Sequence, residues 1–246
     1  MDGVLLLPSS MKYLTFIIHS VYNMITVNKH DIYDDIKQQI IQEKLLPGQW
    51  LVERDLCGKY GLSRTPIREI LWKLCADGLL HQESNRGFTV RRLNLEQILE
   101  VFQMREAVEG MAARLACSKG DETFHSTIRE IKSKLEKVNI DRDATGGIQL
   151  GRRLHNAIIE TAGNVLMSET CERLNNLTIL TSLITRKSPP IEKASRDAHA
   201  RIIDSLLEQD DVRSEQAMRD HLRETCRNLV EQFYPGMLNG SLRKET

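Results

Sequence analysis

Residues 61–78 have the sequence GLSRTPIREILWKLCADG, which carries the signals of one helix between two glycine turns. Ser63 is a favoured N-cap residue, Pro66 is tolerated in a first helical turn, and Gly78 is a typical residue at a helix end. Between them, apolar residues recur at intervals of three and four, which predicts one buried face. This face consists of Ile67, Ile70, Leu71 and Leu74. The segment is therefore predicted to be a helix whose opposite face carries two arginines into solvent.

Two further helices are predicted just before this segment. Three isoleucines lie one turn apart in residues 31–45 and predict a helix that ends at Leu46-Pro47-Gly48. Residues 53–60 predict a short second helix that ends at Gly61. The second of these helices is joined through the Gly61 turn to the helix of the first segment, which carries arginines on its exposed face. Such a pair is typical of a helix-turn-helix.

Two short strands are predicted after the third helix. Residues 79–82 and 87–90 have the length and composition of strands, and the four residues from Glu83 to Arg86 between them are turn formers. This pattern predicts a β-hairpin that forms a wing beside the helix-turn-helix. The sequence thus predicts a winged helix-turn-helix domain over residues 28–93.

Only helices are predicted from residue 94 onwards. Asn94 followed by Gln97 resembles a capping box, and apolar residues at helical spacing follow it. Gly146-Gly147 is predicted to precede the third of these helices, and Gly163-Asn164 to end it. The predicted fold class is therefore mainly α, with the winged domain followed by an all-helical antiparallel bundle of about six helices over residues 94–235.

Candidate DNA-binding residues lie on the exposed side of the third helix and beside it. Arg64, Thr65 and Arg68 are near its N-terminus, where recognition helices contact base edges and phosphates. Arg54, at the start of the second helix, and Arg86, in the wing turn, are placed to contact phosphates or the minor groove. The alternative is that these arginines form only the solvated face of an amphipathic helix.

The charge of the chain is distributed unevenly along the sequence. The formal net charge is zero, so no global field attracts the chain to nucleic acid. From residue 59 to residue 92, however, seven basic residues stand against three acidic ones, a local surplus of four. This surplus favours a DNA-binding patch in the winged domain.

Three histidines fall on three different helices of the predicted bundle. These are His155, His199 and His221, and each lies in or beside the apolar phase of its helix. Converging in a bundle core, they can bind zinc, nickel or a similar divalent ion. The alternative is that each is a hydrogen-bonded core residue. A metal-dependent hydrolase is the rival function, but the chain lacks an H-E-x-x-H motif to support it.

The composite pattern resembles the GntR family of bacterial regulators. The matching segments are Leu46-Pro47-Gly48, residues 63–69, residues 77–79 and residues 85–90. The resemblance implies a DNA-binding transcriptional regulator of the repressor type that binds a palindromic operator as a homodimer. The family's DNA-contacting positions correspond here to Arg54, Arg64, Thr65, Arg68, Arg86 and Gly87.

The second half of the chain resembles the FCD effector domain of the FadR-type branch. In that family, three histidines and an aspartate one turn before the first of them commonly hold a metal, but this chain has Gly151 there. Either no metal binds, or a water or the effector's carboxylate replaces the missing oxygen. The resemblance also implies that Arg105 contacts a small organic or sugar acid. The alternative for Arg105 is an exposed ion pair with Glu109.

The remaining segments have weaker signals. Residues 1–27 are an N-terminal extension, either an extra helix or an over-long start with Met24 as the true beginning, and residues 236–246 are a tail. The apolar residues 4–27 are interrupted by polar ones, which disfavours a membrane span. The five cysteines lack a C-x-x-C pair and indicate reduced thiols. We therefore expect a cytoplasmic protein without a membrane partner.

Overall fold

The computed structural model describes residues 29–83, 86–139, 143–185 and 189–234. The chain falls into two compact units, one up to Val90 and one from Arg91. The apolar stretch 4–27, the wing-turn residues 84 and 85 and the tail 236–246 lie outside the described residues. In the part of the chain that is described, no helix is both long and apolar enough to cross a bilayer.

Among its described residues, the first unit has three helices and a three-stranded antiparallel sheet. Its elements are α1 (Lys29–Ile41), β1 (Trp50–Leu51), α2 (Glu53–Tyr60), α3 (Arg64–Ala76), β2 (Leu80–Glu83) and β3 (Gly87–Val90). The strands lie in the order β1-β3-β2. This arrangement confirms the predicted winged helix-turn-helix. Strand β1 was not predicted, because two residues are too few to show an alternating pattern.

The core of the first unit lies between α1, α3 and the sheet. The predicted apolar faces of both helices are buried, and Phe88 of β3 is buried with them. Gly61, with φ of 67°, ends α2 in the left-handed region that glycine adopts without strain. This turn lets α3 start at once in a new direction, so that its N-terminal residues can remain exposed.

The second unit contains six helices among its described residues. They are α4 (Leu95–Lys119), α5 (Glu122–Lys137), α6 (Ala144–Ala162), α7 (Val165–Thr185), α8 (Pro189–Leu207) and α9 (Asp211–Phe233). The predicted fold class is confirmed. Asn94 and Gln97 form the predicted capping box at the start of α4.

The start of α6 differs from the prediction. Gly146-Gly147 was expected to precede the helix, but both glycines lie inside it. The Asp143 side chain at the N-cap accepts a hydrogen bond from the Gly146 N–H at 2.8 Å. A cap of this kind stabilises a helix by about 1 kcal/mol, which offsets the low helix propensity of glycine.

Helix α4 is the central element of the bundle. It packs against α6, α7, α8 and α9. Its buried face is mostly apolar but includes two charged residues, Arg105 and Glu109. Buried charges need a partner, so the position of these two indicates a polar site inside the bundle.

Candidate nucleic-acid interface and metal centre

The exposed face of α3 carries the predicted recognition residues. Arg64, Thr65 and Arg68 are exposed in its first two turns, whereas Ile67 and Ile70 are buried on the other side. The structure therefore presents three polar side chains together at one end of a short helix. Side chains in this position can enter a groove of DNA without disturbing the core of the domain.

The helices α2 and α3 both begin without a side-chain cap. Val52 and Ser63 occupy the N-cap positions, and neither side chain makes a capping hydrogen bond. The prediction for Ser63 is therefore correct in position but wrong in hydrogen bonding. The first N–H groups of both helices remain available to acceptors such as phosphate oxygens.

Three of the predicted DNA-contacting arginines form surface ion pairs. Arg68 Nε lies 3.3 Å from Glu53 Oε1, and Arg54 Nε lies 3.6 Å from Asp55 Oδ1. Arg86 in the wing turn lies near Glu83. Exposed pairs of this kind contribute only about 0–1 kcal/mol, so exchanging the carboxylate for a phosphate costs little. The structure places the predicted set on one domain but in separate places, on α2, on α3 and in the wing.

The first residue after the wing turn has a backbone conformation that favours glycine. Gly87 opens β3 opposite Glu83 and has φ of 108°, a conformation that side-chain-bearing residues rarely adopt. A Cβ there would meet nothing within 4 Å. The backbone of Gly87 is therefore open to close approach by a large partner.

The three predicted histidines come together inside the second unit. His155, His199 and His221 are all buried, and one ring nitrogen from each lies within 4.8 Å of the others. The Nε2 atoms of His155 and His199 are 3.2 Å apart. Since a Zn–N bond is about 2.0–2.1 Å, the coordinating nitrogens of two imidazoles on one tetrahedral ion are roughly 3.3 Å apart. The nitrogens of His155 and His199 therefore have the spacing of two ligands on one divalent ion, and a ring nitrogen of His221 lies within 4.8 Å of both histidines.

The protonation state of the cluster also suits a metal. Burial, together with the neighbouring His155, lowers the pKa of His199 well below its ordinary value, and burial acts in the same way on the pKa of His221. Both rings are thus neutral and have a lone pair to offer. The Nδ1 atom of His221 is buried without a hydrogen-bond partner among the described residues. An unsatisfied buried nitrogen is costly and fits a ligand that the protein itself does not provide.

Glu109 contacts this cluster. This contact was not predicted from the sequence. The Oε2 atom of Glu109 lies 2.5 Å from Nδ1 of His155, and its Oε1 atom accepts a hydrogen bond of 2.6 Å from Nε of Arg105. Burial alone would raise the pKa of Glu109, but the charge of Arg105 and the hydrogen bonds that Glu109 accepts from His155 and Arg105 lower it to about 2. The carboxylate is therefore ionised and held from both sides.

The alternative interpretation of Arg105, an exposed ion pair with Glu109, is right about the pairing but wrong about the exposure. The exposed fraction is 6% for Arg105 and 1% for Glu109. The sequence does contain a signal for this burial, since Phe102, Arg105, Glu109 and Ala112 follow one another at intervals of three and four. This spacing places both charged residues on the buried face of α4.

Gly151 occupies the position where the resembling family has an aspartate. It is buried on α6, one turn before His155, and brings no oxygen to the cluster. A Cβ built on it would lie only 2.5 Å from Cε1 of His199. The His199 ring therefore lies directly against the backbone of Gly151, in space that any larger residue would need.

Comparisons with known proteins agree with this architecture. The model for "Bacterial regulatory proteins, gntR family" matches residues 28–90, and that for the "FCD domain" matches residues 100–224. A probable D-xylose utilization operon transcriptional repressor from Paenarthrobacter nicotinovorans is 27% identical, over 78% of this chain and 84% of its own. The Glc operon transcriptional activator of Escherichia coli (strain K12) is 28% identical, over 80% and 87%.

A solved structure has the same fold. The chain of E. coli McbR/YncC superimposes with a TM-score of 0.71 at 21% identity, over 83% of this chain and 98% of its own. Together, the two matched domains cover both units of the structure in the same order. The chain therefore belongs to the GntR family of bacterial transcription regulators, in the branch whose second domain is an FCD domain.

Proposed function

We propose that the chain binds a palindromic operator as a homodimer and represses transcription there. The observation that carries this proposal is the exposed set of Arg64, Thr65 and Arg68 on the first turns of α3, beside two uncapped helix N-termini. Two copies of α3 in one dimer would enter successive major grooves, about 34–36 Å apart. Arg54, Arg86 and Gly87 would contact the flanking backbone or the minor groove.

We further propose that the FCD domain binds a divalent metal and a small organic or sugar acid. The three histidines would hold the ion, which would supply a positive charge for the carboxylate of the acid. Arg105 bonds Glu109 through Nε and Nη2, and Nη1 has no hydrogen-bond partner among the described residues, so this edge of the guanidinium can bind the carboxylate of the acid.

The effector and the operator would be coupled through the shape of the dimer. An acid that binds better to a dimer conformation with one separation of the recognition helices changes the affinity of the protein for the operator by some factor. The operator must then change the affinity for the acid by the same factor. The relatives include a named repressor and a named activator. We choose repression on the basis of the first relative, and it is tested by whether transcription from a promoter that carries the operator falls when the protein is added.

A metal-dependent hydrolase remains the alternative, but the site does not favour it. Such an enzyme needs a free general base beside the metal. Glu109, the carboxylate that the described residues bring to the cluster, is already bonded to Arg105 and His155. It therefore cannot take a proton from a water without losing these bonds.

Selection of genomic DNA fragments on the purified protein at physiological salt tests the proposed function. We expect enrichment of a short palindrome. On a plot of log affinity against log salt concentration, the slope should be about −0.9 for each phosphate contact. If no sequence is enriched, even with zinc and candidate acids present, the operator proposal is wrong.

Replacing Gly151 with alanine is expected to weaken zinc binding although no ligand atom is lost. The new methyl group would force the His199 ring to move, and overpacking of this kind costs about 1–3 kcal/mol, or roughly 5- to 150-fold in affinity. Helix propensity acts in the opposite direction and stabilises the metal-free chain. Isothermal titration with Zn²⁺ measures the affinity, and thermal unfolding checks the fold.

The matched control is Gly58→Ala, since a Cβ at Gly58 meets nothing within 4 Å. This variant should bind zinc as tightly as the unmutated chain. Equal zinc affinity of the Gly151→Ala variant would show that His199 in this position is not a ligand.

A further inference from the structure

We infer that Glu109 is a positioning residue that turns Nε2 of His155 towards the other two histidines and keeps that atom free to bind a metal. This inference rests on the proposed metal site. It concerns a residue that lies outside the three-histidine set and that has no ligand role of its own.

The hydrogen bond from His155 to Glu109 selects one tautomer. A neutral imidazole has one N–H group, and an ionised carboxylate can only accept. The short contact between Nδ1 of His155 and Oε2 of Glu109 therefore places the proton on Nδ1. The lone pair is then on Nε2, which is the atom that lies 3.2 Å from Nε2 of His199.

Arg105 holds the carboxylate in turn. Its Nε and Nη2 atoms lie 2.6 Å and 3.4 Å from the two oxygens of Glu109, and the Arg105 guanidinium also lies over the ring of Phe102. A buried ion pair contributes little to stability compared with apolar side chains of the same size. Its location against the histidine cluster thus favours a role in the site over a role in the fold.

The absence of a carboxylate at position 151 makes this support more important. The cluster consists of three imidazoles, which carry no negative charge, and the buried Gly151 adds no anionic ligand. A carboxylate bonded to the far nitrogen of a metal-binding histidine raises the basicity of that ring and fixes its orientation. Glu109 is in the position to do both for His155.

The first experiment measures the tautomer directly in the full-length, metal-free protein. Long-range ¹H–¹⁵N correlation spectra distinguish a protonated Nδ1 from a protonated Nε2, and a His155→Gln variant assigns the signals. We expect His155 to carry its proton on Nδ1. A proton predominantly on Nε2 would overturn the inference, whatever the variants do.

The second experiment compares Zn²⁺ affinity in competition with a chromophoric chelator. The substitution Glu109→Gln keeps an acceptor but removes the charge, and we expect it to weaken zinc binding by about 10- to 100-fold, as loss of an outer-shell partner does. The control is Glu106→Gln on the same helix, whose carboxylate pairs with Arg219 and Arg223 on α9. We expect this control to bind zinc like the unmutated chain.

The outcomes separate this inference from the metal proposal. If the unmutated chain binds no zinc, the proposed metal centre is wrong and the inference fails with it. If the unmutated chain binds zinc and both glutamine variants bind it equally well, the metal centre stands and the role of Glu109 is refuted. Should Glu109→Gln fail to fold, the tautomer measurement decides alone.

Discussion

Replacing His221 with alanine is expected to abolish the retention of a divalent metal by the FCD domain. His221 offers one of three potential ligand atoms that lie within 4.8 Å of one another, and the described residues add no carboxylate to this group. The loss should exceed the roughly 10- to 100-fold that removal of an outer-shell partner costs. Metal content after loading with Zn²⁺ and desalting measures this, and about one ion per unmutated chain is the reference for a three-histidine site.

A histidine outside the cluster serves as the control. His125 on α5 is also buried, with 9% of its surface exposed, but it does not belong to the three-histidine group. His125→Ala should keep its zinc. Zinc should also raise the melting temperature of the unmutated chain and of His125→Ala, but not of His221→Ala, because a ligand stabilises only a fold that binds it. Equal metal content in all three proteins would contradict the proposed site.

Replacing Arg68 with alanine is expected to relax the sequence preference of DNA binding. Arg68 is exposed on the second turn of α3 and its nearest carboxylate, Glu53, forms only a surface pair with it. A bidentate contact to guanine contributes about 1–3 kcal/mol of discrimination, so the ratio of specific to non-specific affinity should fall by roughly 5- to 150-fold. Fluorescence anisotropy with the selected palindrome and a scrambled duplex at one salt concentration measures this ratio.

Arg54 offers a comparison with a different expected pattern. Its side chain lies at the start of α2, where a phosphate contact is expected, so Arg54→Ala should weaken both duplexes alike and reduce the salt slope by about one. If Arg68→Ala also weakened both duplexes alike, Arg68 would be a phosphate contact, and the base-reading role would pass to Arg64 or Thr65.

The winged domain was predictable because its signals are local. The turn at Gly61, the end of α3 near Gly78 and the isoleucine spacing in α1 each act within a few residues. Strand β1 was not predicted because its two residues acquire their strand conformation from pairing with β3, which is distant in the sequence. The start of α6 was not predicted because the cap at Asp143 offsets the low helix propensity of the two glycines that follow it.

The candidate metal site was only partly predictable. The sequence indicated three histidines on three helices, and it showed that Gly151 brings no fourth ligand. It did not indicate that Glu109 touches His155 or that the His199 ring lies against Gly151. A charged residue in the buried phase of a helix is a pattern that we would now treat as a sign of a polar site.

By itself, the sequence determined the order of the elements, the separation into a DNA-reading half and a helical half, and the exposed arginines of α3. These features follow from caps, glycine turns and apolar spacing, which act over a few neighbouring residues. Only the tertiary structure decided which atoms meet at the cluster. His155 contacts Glu109 and His199, which are 46 and 44 positions away in the chain. Such contacts depend on how each helix is rotated about its own axis when the bundle packs, and no local pattern specifies that rotation.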